Sequence, residues 1–159
     1  MANRHLIRTA LVCVSLLSLS GCGVGFDAGT NQKPSGNGAN QNVGELEIRN
    51  ASIVVDPRDP SAGTLLVSIY NKGDEDDSLT GLTSQEFESQ FSDALPIGTN
   101  QALSVGLSKD SKIYLASTTL ALEPGTYVDT TFVFGNASSV TVPILVNANT
   151  GFYKDVELP

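Results

Sequence analysis

The chain reads as an all-β domain, an antiparallel β-sandwich or barrel. Roughly seven or eight short stretches alternate apolar with polar residues, turn-forming residues separate them, and no long helical pattern interrupts them. With 159 residues the chain is long enough for one ordinary domain. Its core must rest on Val, Leu, Ile and Phe, because Trp is absent and aromatics make up 6%.

The expected β-sandwich domain spans residues 45–159. Leu46 and Ile48 alternate with Glu45, Glu47 and Arg49, and Ile53, Val54 and Val55 continue the strand past a break at Asn50-Ala51. Asp56-Pro57-Arg58-Asp59-Pro60 reads as a rigid loop, since proline cannot donate to a sheet ladder. Thr64 to Ser84 reads as strand, tight turn, strand, a hairpin in the middle of the sheet. Leu65, Val67 and Ile69 form its buried face, and Asn71-Lys72-Gly73-Asp74 forms its turn. Residues 85–100 are open between a helical turn, with Phe87 and Phe91 on one face, and a strand. Ala102 to Leu107 and Ile113 to Leu115 alternate as further strands, with a turn at Lys109-Asp110. Leu120 and Leu122 lead into Glu123-Pro124-Gly125-Thr126, which fits a type II turn. Val128, Thr130, Phe132 and Phe134 then share a face, Gly135-Asn136 turns, and Val140, Val142, Ile144 and Val146 share the last one. Pro143 in that run predicts an edge strand or a bulge.

Residues 1–21 carry the pattern of a secretory signal peptide. Arg4, His5 and Arg8 precede a short apolar run, Ala10 to Leu19, well under the roughly twenty residues a bilayer span needs. Leu19-Ser20-Gly21-Cys22 resembles a bacterial lipobox, which implies cleavage before Cys22 and acylation of its thiol and amine. Two or three acyl chains hold a protein stably on a membrane, where one is marginal. Residues 22–44, the lipidated Cys22 and a Gly/Asn/Gln-rich stretch, read as a flexible tether with a mean reach of roughly 25 Å.

Cleavage removes Arg4 and Arg8 and no acid. The 9 cations become 7 against 17 acids, and the net charge moves from −8 to −10. Such a surface repels phosphate, which argues against nucleic-acid binding, and it repels anionic lipid heads, so the membrane partner must be engaged through the anchor. His5 and Met1 are the only His and Met, and Cys13 and Cys22 the only Cys. The mature chain therefore has no Ser-His or Cys-His constellation and no imidazole or thioether ligand, and no enzyme activity is expected. Asp74, Glu75, Asp76 and Asp77 form the one cluster able to hold a hard cation, weakly, although a solvated turn explains them as well. Tyr70, Tyr114, Tyr127 and Tyr153 are candidates for a protein-binding surface.

Tyr70-Asn71-x-Gly73-x-x-Asp76-Asp77-x-Leu79 resembles the strand–turn–strand signature of the PCu(A)C-type copper chaperones. Leu122-Glu123-Pro124-Gly125-Thr126-Tyr127-Val128, Thr131-Phe132-x-Phe134-Gly135 and Val140-x-Val142-Pro143-Ile144 are similar to that family's last strands. The resemblance covers residues 45–146 and implies a Greek-key, cupredoxin-like sandwich. That family holds Cu(I) through a His-x-Met pair and two further Met residues. Counted back from the 122–125 turn, the pair falls near Lys112 and Tyr114, and the remaining positions fall in 79–91, which has no Met. An ammonium and a phenol are poor substitutes for soft ligands. The resemblance thus implies a fold that has lost its metal site, with no cofactor beyond covalent diacylglycerol and an N-acyl chain on Cys22.

Lipobox, tether and degenerate domain together resemble the actinobacterial LpqE lipoproteins. That resemblance implies a place on the extracytoplasmic face of the plasma membrane. It further implies an envelope complex as partner, as an accessory subunit of the menaquinol-to-oxygen respiratory supercomplex beside its cytochrome subunits. The alternative is a PCu(A)C-type copper or metal carrier using non-standard ligands.

Overall fold

The computed structural model describes residues 38–159 apart from 92, 107–110 and 118–121. The expected signal peptide, Cys22, most of the tether, Leu107, Leu120 and the turn at Lys109-Asp110 lie outside the described residues.

The strands are β1 (Ala39–Val43), β2 (Leu46–Asp56), β3 (Asp59–Asn71), β4 (Asp77–Thr83), β5 (Phe87–Gln90), β6 (Leu95–Ile97), β7 (Ala102–Val105), β8 (Tyr114–Ser117), β9 (Tyr127–Phe134) and β10 (Val140–Ala148). A 3-10 turn, Gly151–Tyr153, follows. The strands form one 10-stranded sheet in the order β5-β8-β3-β2-β10-β9-β4-β6, with β1 on β2 and β7 on β3. The sheet curls on itself as a cupredoxin-like β-sandwich. Ile48, Ile53, Leu65, Ile69, Leu79, Phe132 and Ile144, from five strands, meet in one buried cluster. All pairings are antiparallel except β2 with β10, which run parallel from Ser52–Leu145 to Val55–Ala148.

Alternation explains most of the elements. In β9 the buried positions are Val128, Thr130, Phe132 and Phe134, and in β10 Val142, Ile144 and Val146. The break at Asn50-Ala51 is a bulge: Asn50 has φ 54°, a left-handed conformation that asparagine tolerates, and the register to β3 shifts there. Pro143 marks neither the expected edge strand nor a bulge: β10 is interior, between β2 and β9, and Pro143 faces Asp129 of β9 in regular register, two residues before the pairing with β2 begins at Leu145. The 123–126 turn is closed by Thr126 N–H donating to Glu123 O at 3.2 Å, with Gly125 at φ 93°.

Several expectations are corrected. β3 and β4 are not a hairpin: β3 pairs with β2, β7 and β8, and β4 with β6 and β9. The acidic stretch between them is a crossover from one side of the sandwich to the other. The fold begins before residue 45, because β1 takes Ala39–Val43 from the expected tether. This strand is only partly buried, and its backbone pairing to β2, not apolar content, orders it. Of the two readings left open for residues 85–100 the strand holds, as β5 (Phe87–Gln90) and β6 (Leu95–Ile97). The 56–60 loop is shorter than expected, since Asp59 already pairs with Asp56 and Pro60 lies within β3.

Candidate functional site

Tyr114 opens β8 and Lys112 lies two residues before that strand, and both side chains reach the same carboxylate, that of Glu157. β8 is held between β3, where Thr64 faces Tyr114, and β5, where Gln90 faces Tyr114. The 79–91 segment therefore does reach this neighbourhood, through β5. No soft donor comes with it: Phe87-Glu88-Ser89-Gln90 offers only oxygen, nitrogen and an aromatic ring.

A third residue completes the cluster from far along the chain. Glu157 forms an ion pair with the Lys112 ammonium, and its Oε1 accepts from the Tyr114 hydroxyl at 3.4 Å. The backbone holds Glu157 there, since buried Thr64 donates Oγ1–H to the Glu157 carbonyl at 2.7 Å, and Asn149 Nδ2 donates to the Val156 carbonyl at 2.9 Å. The hydrogen bond to Glu157 raises the Lys112 pKa above its ordinary value, against a smaller opposing desolvation. Lys112 therefore keeps its proton at neutral pH and has no lone pair for a metal.

The acidic crossover is organised by Asn71, 2% exposed. Its amide donates to the Glu75 carbonyl at 2.8 Å and the Ile97 carbonyl at 3.2 Å, and its oxygen accepts from Gly73 N–H at 2.9 Å. Asp76 accepts from Thr99 N–H at 2.7 Å and Thr99 Oγ1–H at 3.1 Å. Asp77 accepts from the N–H groups of Ser78, Asn136 and Ala137 at 2.7, 2.9 and 2.9 Å. Burial pushes the Asp77 carboxyl up, but the N–H groups of Asn136, Ser78, Ala137 and Gly135 together outweigh it and hold the group below the usual carboxylate range. Asp76 and Asp77 thus serve as backbone locks that splay apart, while Asp74 and Glu75 are exposed. Among the described residues no three His, Cys, Asp or Glu side chains converge as metal ligands.

The four tyrosines fall on separate elements, β3, β8, β9 and the 3-10 turn, with Tyr70 37% and Tyr127 69% exposed. The sequence reading does not reach Glu157, and it takes Asn71 as a turn residue without its buried amide role. Nothing in local pattern ties Glu157 to residues more than forty positions earlier, whereas an Asn between a strand and Lys72-Gly73 is a recognisable turn-capping signal.

No protein-family model matches the chain, and no curated protein matches it. The fold is similar to solved PCuAC domains. The copper-bound PCuAC domain from PmoF2 aligns at TM-score 0.60 and 20% identity, covering 69% of this chain and 98% of that one. The apo PmoF2 PCuAC domain aligns at TM-score 0.61 and 18% identity, covering 71% and 98%. The apo PCuAC domain from PmoF1 aligns at TM-score 0.61 and 18% identity, covering 69% and 99%. The chain has the PCuAC-type, cupredoxin-like fold. The donor set does not fit Cu(I), because residues 38–159 contain no His, Cys or Met.

Proposed function

We propose that the chain is a PCuAC-fold module, anchored through acylated Cys22 to the outer face of the plasma membrane, that acts by protein contact and not by catalysis. The observation that carries this reading is the Lys112–Tyr114–Glu157 cluster. A protonated amine and a phenol stand where the family resemblance places the His-x-Met pair, and the Glu157 carboxylate is bound to both of them. Such a set has no affinity for Cu(I), whose preference is for thioether, thiolate and imidazole.

The partner in this reading is an envelope complex, and the respiratory supercomplex is its specific form. Co-purification of a tagged chain in mild detergent, followed by crosslinking mass spectrometry on intact membranes, tests it. Crosslinks from the β-sandwich to respiratory cytochrome subunits are expected, and a chain recovered alone counts against that partner. Mass spectrometry of the membrane-bound form tests the anchor, with diacylglyceryl and N-acyl groups expected on Cys22.

A second reading, a copper carrier with non-standard ligands, is favoured at the level of fold by the solved PCuAC neighbours, one of which holds copper. They support a copper-chaperone-type domain more directly than they support an accessory subunit. In this reading oxygen ligands or a partner's side chains replace the missing soft donors. Titration with Cu(II) and Cu(I), with and without candidate partners, separates the two readings.

A further inference from the structure

We propose that Phe152 and the groove beside it form the face on which this domain rests against a phospholipid bilayer, an inference that rests on the Cys22 anchor proposed above. Phe152 is 88% exposed, the most exposed large hydrophobic among the described residues. Its exposure does not come from a loose chain end. The 3-10 turn that carries it is closed by Tyr153 N–H donating to Thr150 O at 3.0 Å. Asn149 N–H donates to Val55 O at 2.8 Å, and Asn149 Nδ2 to Val156 O at 2.9 Å, so the turn is pinned on both sides. The Phe152 ring meets Tyr153 edge-to-face, with centroids 5.2 Å apart. Phe152 and Tyr153 line a groove of about 300 Å³ together with Leu66, Val67, Ser52, Ser68, Asn50 and Gly38.

The position of Gly38 identifies the occupant. The chain arriving from Cys22 enters the described fold at the wall of this groove. Fifteen residues separate Cys22 from Gly38, a length of chain that reaches at most roughly 50–55 Å. Of all surfaces described, the one adjoining Gly38 is joined to the acylated residue by the shortest stretch of chain. An aromatic pair with an apolar body and a phenol handle suits the bilayer interface. One phenylalanine binds lipid weakly by itself, but the anchor makes its insertion intramolecular and raises its effective concentration. With a mature net charge of −10, attraction to anionic heads cannot supply the contact, so it is apolar and suits zwitterionic lipid.

The absence of Trp from the chain provides the test, since F152W creates a single-tryptophan reporter at an exposed site. The lipidated chain carrying F152W is reconstituted into phosphatidylcholine vesicles, and Y127W, exposed but outside the groove, serves as the comparison. The expected result is blue-shifted F152W emission quenched by brominated phosphatidylcholine, with Y127W emission solvent-like. A chain that floats with the vesicles while F152W emission stays solvent-like overturns the inference and leaves the anchor standing. A chain that does not float overturns both. A blue shift without vesicles also overturns it, assigning the groove to a second copy if it grows with protein concentration and to the chain's own tether if it does not.

Discussion

Replacing Asn71 by alanine tests whether one buried amide holds the crossover between the two halves of the sandwich. The substitution removes two donated bonds, to Glu75 O and Ile97 O, and one accepted from Gly73 N–H. The Ile97 carbonyl belongs to a residue 1% exposed and is left without this donor, a penalty of about 1–3 kcal/mol. The other two bonds are partly solvated and contribute about 0.5–1.5 kcal/mol each. The sum centres on about 4 kcal/mol, allowing for partial relaxation about 3, which for a domain of this size lowers Tm by about 10 °C. Urea unfolding and a thermal melt, both followed by circular dichroism, measure it. N71D keeps the acceptor, loses both donors and adds a fifth acid to Asp74–Asp77, so its loss should match or exceed that of N71A and shrink with added salt. A loss below about 0.5 kcal/mol in N71A would show that the crossover is held by something other than this amide.

Gly106 has φ 79°, and a Cβ there would sit 2.2 Å from the Leu65 carbonyl oxygen, so G106A should cost more than about 3 kcal/mol or prevent folding, as an expression and melting series will read. D77N should destabilise by about 1–3 kcal/mol, because the amide keeps one acceptor oxygen but its NH₂ replaces the other and cannot accept from the N–H group facing it. The Asp77 pKa is lowered in the fold, so its contribution is present above the unfolded carboxylate value near 4 and is lost as pH falls through the folded value. Wild type should therefore lose stability on acidification below about pH 4 more steeply than D77N, as a pH series of unfolding midpoints will show. Equal pH slopes would remove Asp77 as the lock.

The parts of this fold written in local pattern were legible in the sequence. Val128 to Phe134 alternates without interruption, Pro124-Gly125 dictates its turn, and Asn50 announces a bulge. The β3–β4 relation was not legible. A five-residue turn-like stretch is compatible with a hairpin, and it is long-range pairing, the ladder from Leu79–Phe134 to Thr83–Thr131 together with Asp77 to Asn136 and Ala137, that directs β4 to β9 instead. Residues 85–100 alternate too briefly to separate strand from helical turn, and pairing with β8 and β4 decides it. β1 is polar along most of its length, so apolar periodicity could not reveal it. At the candidate site Lys112 and Tyr114 were identified through family spacing, whereas Glu157 depends on the path of the C-terminal segment.

Cuprous titration against a competing chelator tests the central claim most directly. A Cys22→Ser variant of the chain without its first 21 residues has no thiol, imidazole or thioether. The account predicts that the chelator keeps all the copper at every protein concentration. One Cu(I) held per chain in competition with the chelator, and released when Lys112 or Tyr114 is replaced, would contradict it.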